Sequence, residues 1–245
     1  MRGPFWIALQ FLSSLPVRLP GMPSPRETGR SLLYYPLVGL LLGAVLWGVN
    51  VCLSGAPLML HAALLLTVWV LFSGGLHLDG LADSADAWLG GFGDRERTLT
   101  IMKDPRSGPI AVVVLALVLL LKFCALLAVI EQQQFAALLI VPLIGRSALL
   151  AVFLTTPYVR AGGLGQALAD HVPRTAGWWV LGFSALGCVL VAGMGGVWSL
   201  VLGVIGFAWL RRIMMRRLGG TTGDTAGALL ELLEVGVLVG LALIG

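Results

Sequence analysis

Seven apolar runs divide this chain, at about 31–53, 58–76, 109–130, 135–155, 177–193, 197–213 and 226–244. A helical run of roughly 20 apolar residues matches the ~30 Å hydrocarbon layer of a bilayer. Only helices and closed barrels satisfy every backbone polar group there. A length of 245 residues would otherwise suit one or two soluble domains. However, 58% of the residues are hydrophobic and only 11% charged, with a mean hydropathy of +0.95. That is too little charge to coat a water-exposed surface and too much hydrophobicity for disorder. The expectation is an all-α, polytopic integral membrane helix bundle. It has about seven transmembrane helices and forms a single membrane-embedded domain over residues 1–245.

The 16 Lys and Arg residues orient the bundle. Arg2, Arg18, Arg26 and Arg30 precede the first run. Arg95, Arg97, Lys103 and Arg106 lie between the second and third, and Arg160 and Arg174 between the fourth and fifth. Arg211, Arg212, Arg216 and Arg217 lie near the sixth–seventh connection. The alternate connections, near 54–57, 131–134 and 194–196, carry none. The positive-inside rule then predicts a cytoplasmic N-terminus, an external C-terminus, and cytoplasmic loops at 77–108, 156–176 and 214–225. Polar chemistry belongs on that side, because the other loops are only a few residues long. The apolar stretch from Phe5 to Val17 is interrupted by Gln10, Ser13 and Ser14 and leads into proline-rich sequence rather than a cleavage site. It reads as an interfacial or partly buried helix, not a signal peptide. Cys52, Cys124 and Cys188 are far apart in apolar runs and read as small buried hydrophobes. Gly193-Met-Gly-Gly196 reads as a tight turn.

Asp79, Asp83 and Asp86 follow the second run at spacing i, i+4, i+7. On a helix they fall within an arc of roughly 60° over about 10 Å of rise. Leu78, Leu81, Ala82 and Ala85 argue that this helix is packed. Three carboxylates on one packed face repel each other, and a divalent cation such as Mg²⁺ removes that repulsion. Gly80 permits a close approach by a ligand or another backbone. Two further segments support the metal reading over a merely solvated acidic face. The stretch 94–108 mixes acids and bases. Gly219-Gly-Thr-Thr-Gly-Asp224 is a glycine-rich turn feeding the last run, able to offer N–H groups to phosphate. Arg95, Lys103, Arg106, Arg160 and Arg174 are candidates to hold phosphate oxygens, although positive-inside arginines need no ligand. His77 lies on a different helical face from Asp79 and approaches the site from the side. His61 reads as a satisfied packing residue, and His171 as an exposed loop residue.

Lys122, Arg146, Glu231 and Glu234 lie within apolar runs and call for partners. Arg146 is expected to pair with Glu234 or Glu231. Lys122 is expected to snorkel or to meet a backbone carbonyl. Gly39/Gly43 and Gly236/Gly240 read as helix-packing pairs.

His77-Leu-Asp-Gly-Leu-Ala-Asp-Ser-Ala-Asp86, followed by Ile101-Met-Lys-Asp-Pro-Arg-Ser-Gly108, resembles the signature of the cobalamin synthase family, the adenosylcobinamide-GDP ribazoletransferases of the bacterial inner membrane. The likeness extends to Phe11-Leu-Ser-Ser-Leu-Pro-Val17, Tyr35-Pro-Leu-Val-Gly-Leu-Leu-Leu-Gly43, Pro157-Tyr-Val-Arg160 with Gly163-Leu-Gly165, and Gly219 through Ala228 with Glu231. Pro105 and Ser84 depart from the family pattern without touching an Asp position. The resemblance implies that the 3′-hydroxyl of α-ribazole, or of its 5′-phosphate, attacks the cobinamide-linked phosphorus of adenosylcobinamide-GDP, releasing GMP. It implies Mg²⁺ held by Asp79, Asp83, Asp86 and Asp224, with Asp104 as a further candidate ligand. Asp86 or Asp104 is a candidate proton acceptor, and Lys103, Arg106 and Arg160 stabilise phosphate charge. His77, Thr222 and Gly223 join Arg160 in binding substrate. The implied partners are the two substrates and the lipid bilayer, with no nucleic acid; self-association is left open. A CDP-alcohol phosphatidyltransferase would carry a longer Asp pattern with an Ala-Arg pair absent here. A transporter would place its ionisable groups near the midplane in repeated, broken helices.

Overall fold

A computed structural model of the chain describes residues 3–104, 106–162 and 164–244, so Arg2, Pro105 and Gly163 lie outside the described residues. Those residues form helices and no strand; Tyr158 and Thr221 make one isolated bridge. The order is α1 (Pro4–Leu12), α2 (Pro25–Ser31), a 3-10 turn (Leu32–Tyr34), α3 (Tyr35–Cys52), α4 (Leu58–Ser73), α5 (Leu76–Gly90), α6 (Arg95–Ile101), α7 (Pro109–Glu131), α8 (Ala136–Thr155), α9 (Leu164–His171), α10 (Arg174–Leu218) and α11 (Gly223–Ile244).

The helix starts follow from local chemistry. Ser24 and Glu27 form a reciprocal capping box at α2. Asp94 caps α6 by accepting from the Arg97 N–H. Pro occupies the first turn of α1, α3 and α7, where its missing N–H costs nothing.

Among the described residues five helical segments are long and apolar enough to cross a membrane: α2 through α3, α7, α8, α10 and α11. At 45 residues, α10 is about twice the length of one crossing. It breaks at Gly193, whose φ of 54° and ψ of −125° are not helical. A Cβ on Gly196 would strike the Cys188 carbonyl, so the arms 174–192 and 194–218 fold back on each other. The expected turn is thus the tip of a helical hairpin. With its arms counted separately and α4 as a short crossing, the bundle has the seven expected crossings.

The second crossing ends early. Gly74 and Gly75 both adopt left-handed backbone (φ 61° and 72°), which ends α4 at Ser73 and bends α5 away from it by 86°. Instead of extending α4, α5 packs on α11 and α7.

The most buried helix, α8, packs on α3, α10 and α11. Pro142 within it lacks an N–H, which frees the Leu138 carbonyl. Gly43 brings the α3 backbone against Leu138 and Leu139, and Gly39 does the same at Pro142. This pair packs as expected. In the second pair only Gly240 meets a neighbour, Leu202, whereas Gly236 faces open space. Helix α1 buries Ala8, Leu9 and Leu12 against the core, fitting a partly buried helix. Of the cysteines only Cys188 is buried; Cys52 and Cys124 face outward from the bundle, so the small-buried-hydrophobe reading fails for two of three.

The buried charges form one neutral cluster. Arg146 pairs with Glu234, as expected. Lys122 does not snorkel: its Nζ lies 2.9 Å from Glu231 Oε2 and 2.8 Å from Glu234 Oε2, and 4.4 Å from the Trp69 ring centroid. Trp69 Nε1 donates to Glu234 Oε2 at 3.1 Å. Two cations against two carboxylates on three helices, with Trp69 from a fourth, leave no net charge in the apolar interior. His61 is buried, but its Nε2 has no hydrogen-bond partner among the described residues.

Candidate functional site

The site lies where α5 crosses α11. A Cβ on Gly80 would sit 2.8 Å from the Asp224 carbonyl oxygen, and one on Gly227 3.3 Å from His77 Cα. The close approach anticipated at Gly80 is therefore made by the α11 backbone. It sets the acidic face of α5 beside Asp224, in the first turn of α11. Gly80→Ala forces the two backbones apart. We expect it to destabilise the protein by about 1–3 kcal/mol, read as a lower melting temperature in detergent; an unchanged melt would show that the crossing tolerates a methyl group.

The glycine-rich turn is pinned from both sides. The Thr221 N–H donates to the Pro157 carbonyl at 2.8 Å and the Val159 N–H to the Thr221 carbonyl at 2.9 Å. The connection 156–162 is thereby stitched to the start of α11. Arg160 Nη1 donates to Asp224 Oδ2 at 2.8 Å. Together these elements border a cavity of about 420 Å³, whose lining includes His77, Asp79, Arg160, Gly223 and Asp224.

The carboxylates of α5 have different surroundings. Asp79 is exposed; Asp83 and Asp86 are half-buried. Burial pushes the Asp83 carboxyl up to about 6, reinforced by the negative charges of Asp79, Asp224 and Asp86 and opposed by Arg160. Asp86 accepts backbone N–H groups from Gly108 and, at 3.0 Å, from Ala111. Its carboxylate therefore caps the start of α7, where an anion also complements the helix dipole. His77 is buried beneath the cluster with neither ring nitrogen hydrogen-bonded. Burial, and then the charges of Arg146 and Lys122, hold its imidazole well below the ordinary range, hence neutral.

Other candidates sit elsewhere. Asp104 accepts from the Arg106 backbone N–H at 3.1 Å and from its guanidinium at 2.9 and 2.7 Å, which holds the Asp104 carboxyl down at about 2. This self-paired turn and the exposed Lys103 do not line the cavity. Thr222 is fully buried: its Oγ1 accepts from the Thr225 N–H, Thr225 Oγ1 accepts from the Thr222 N–H, and the pair caps α11. Thr222 positions Gly223 and Asp224 without facing the cavity. Arg95 and Arg174 donate to the carbonyls of Leu218 and Leu154 near the C-terminal ends of α10 and α8. Of the candidate phosphate-binding cations, only Arg160 reaches the cavity.

The donor chemistry suits a hard divalent cation: carboxylate oxygens whose burial, and then mutual field, disfavours full ionisation. Among the described residues no three Asp, Glu, His or Cys side chains converge closely enough to hold a metal by themselves. Mg²⁺ typically keeps several waters and takes one or two carboxylates plus substrate phosphates, which this arrangement accommodates. A testable pH dependence follows. A carboxyl raised in the folded state above its ordinary value contributes stability below that ordinary value and loses it as pH rises through about 6. In EDTA, the wild type is expected to lose more melting temperature between pH 4 and 7.5 than Asp83→Asn does. Adding Mg²⁺ is expected to recover the difference at pH 7.5 but not at pH 4. Equal pH profiles for the two proteins would contradict this.

The aromatic part of the cavity wall, Phe11, Tyr35, Phe153 and Tyr158, escaped the sequence reading, because the four rings come from separate elements. Comparison with known proteins gives concordant results. Residues 4–242 match the family model described as cobalamin-5-phosphate synthase. The chain is 76% identical over 240 residues to the adenosylcobinamide-GDP ribazoletransferase of Pseudomonas fluorescens (strain Pf0-1), covering 98% of this chain and 99% of that one. It is 72% identical over 241 residues to the enzyme of the same name from Pseudomonas syringae pv. syringae (strain B728a), with 98% and 99% covered. It is 71% identical over 240 residues to that of Pseudomonas putida (strain KT2440), with 98% of each covered. No solved structure matches.

Proposed function

The chain belongs to the cobalamin-5-phosphate synthase family, and on that premise we propose a full assignment of its activity. It is an adenosylcobinamide-GDP ribazoletransferase of cobalamin synthesis. The acceptor is α-ribazole or its 5′-phosphate, and the reaction depends on Mg²⁺. Residues 1–245 act as one catalytic domain, embedded in the bacterial inner membrane with the arginine-bearing end, and so the site, facing the cytoplasm. The observation that carries this reading is the α5–α11 crossing at Gly80 and Gly227, which sets the acidic face of α5 against the Asp224–Arg160 pair beside a nucleoside-sized cavity.

Phosphoryl transfer needs positioning and charge neutralisation more than covalent help. Asp79, Asp83 and Asp224 would hold Mg²⁺, and Asp86 supports them by fixing the start of α7. The bound cation would neutralise the diphosphate and polarise the reacting phosphorus. Arg160, oriented by Asp224, directs positive charge at a non-bridging phosphate oxygen. The ribazole 3′-oxygen bonds to the phosphorus that carries cobinamide. The bond from that phosphorus to the bridging oxygen breaks, and GMP departs with the electron pair. A carboxylate of the cluster takes the hydroxyl proton.

The test is GMP release by the purified protein in lipid. Release is expected to require adenosylcobinamide-GDP, α-ribazole and Mg²⁺ together and to stop with EDTA. No release from folded protein would reject the assignment, and release without α-ribazole would make the protein a hydrolase instead.

A further inference from the structure

The cavity changes character from one part of its wall to another. Asp79 is exposed, and Arg160 and Asp224 are partly exposed, whereas Tyr35, Phe153 and His77 are buried. Two ring pairs build the aromatic part: Phe11 and Tyr35 stack with centroids 6.3 Å apart, and Phe153 and Tyr158 with centroids 6.1 Å apart. The Tyr158 ring rests on Gly165, where any Cβ would strike it, so a glycine fixes the ring's place. His77 is 3% exposed and lines the same cavity, with no protein partner for either ring nitrogen among the described residues. Both of its ring nitrogens are sealed from the open space, so the residue borders the cavity by packing alone.

We propose that this cavity is the pocket for the acceptor nucleoside. The methyl-substituted benzimidazole base lies against the two ring pairs, and its ribose turns toward Asp79, Asp224 and Arg160. This rests on the ribazoletransferase reading and extends it to which substrate goes where. Size is the first argument. A cavity of about 420 Å³ falls near the low end of the roughly 300–1,000 Å³ typical for drug-sized ligands. It has room for a nucleoside and none for a corrin ring with its side chains, so the corrinoid stays outside, over the exposed acidic face of α5. Chemistry is the second. A benzimidazole offers an apolar, planar surface, matching an aromatic wall. Guanine carries several hydrogen-bonding groups on its edges, most of which this wall would leave unpaired. Position is the third, because a base held in the aromatic part delivers the ribose hydroxyl to the charged residues where the diphosphate must lie.

The experiment varies each substrate in turn and follows GMP release by the full-length protein in phospholipid nanodiscs. Phe153→Leu keeps apolar bulk but removes the ring. It is expected to raise the KM for α-ribazole about tenfold while leaving that for adenosylcobinamide-GDP within about twofold. Ala161→Trp fills the cavity from an exposed position, so folding is not at stake, and is expected to act the same way. Equilibrium dialysis of α-ribazole against wild-type protein, without corrinoid, is expected to show binding that Ala161→Trp weakens. A selective rise in the KM for adenosylcobinamide-GDP would overturn the proposal by giving the cavity to guanine. Unchanged KM values in both variants would overturn it outright. Failure of the wild type to release GMP would instead reject the ribazoletransferase reading, and dialysis would still report whether the cavity binds the nucleoside.

Discussion

Asp83→Asn is expected to lower GMP release on the order of 10³-fold while the protein still inserts and melts no lower than wild type. The two effects separate because the same charge serves one and opposes the other. Burial, and then the negative charges of Asp79, Asp224 and Asp86, raise the half-buried Asp83 carboxyl to about 6. An amide of equal size removes that repulsion, so the fold gains or stays level. It also removes the negative charge that draws a cation to the diphosphate, so turnover falls. Stability gained where function is lost is the usual signature of a strained functional site. The measurements are initial rates across a Mg²⁺ series and a melt in the same detergent. Turnover near wild type at limiting Mg²⁺ would refute a metal-holding role for Asp83.

The second large effect is structural. Glu234→Ala leaves Lys122 and Arg146 in the apolar interior with only Glu231 to balance them. Breaking a buried pair from one side costs about 3–5 kcal/mol, because the orphaned charge stays behind. A melting temperature lower by roughly 10 °C is expected for a chain of this size. Replacing Arg146 and Glu234 together by Met removes one charge of each sign and leaves Lys122 with Glu231. This double variant is expected to recover most of the loss. A single variant that melts like wild type, or a double variant no better than the single, would show that the cluster does not hold the bundle together.

The bundle was legible because its signals are local. Apolar runs of span length, and arginines confined to alternate connections, gave the crossings. The i, i+4, i+7 spacing placed Asp79, Asp83 and Asp86 on one helix. What stayed hidden depends on distant partners. Whether Gly74-Gly75 would merely end a helix or turn the next one by 86° depends on what α5 packs against. The task of Asp86 depends on the N–H groups of Gly108 and Ala111, more than 20 residues away. The partners of Lys122 are hidden from local sequence because its two carboxylates lie over 100 residues later. Phe11, Tyr35, Phe153 and Tyr158 come from different elements, and no spacing rule connects them. Thr222 is different: a Thr-x-x-Thr just ahead of an apolar run is a readable capping pattern, and it marks Thr222 as structural.

The partners of Lys122 also impose an order on biogenesis. Lys122 is 109 residues ahead of Glu231 and 112 ahead of Glu234. At about 5–20 residues per second of synthesis, α7 waits roughly 5–20 s with an unmatched ammonium group before its counter-charges emerge. During that interval neither Lys122 nor Arg146 has the carboxylate it pairs with in the finished bundle. The helix that ends the wait also carries Asp224 and the capped turn of the site. Neutralising the interior and completing the site are thus one event, and a ribosome-released fragment lacking α11 has neither.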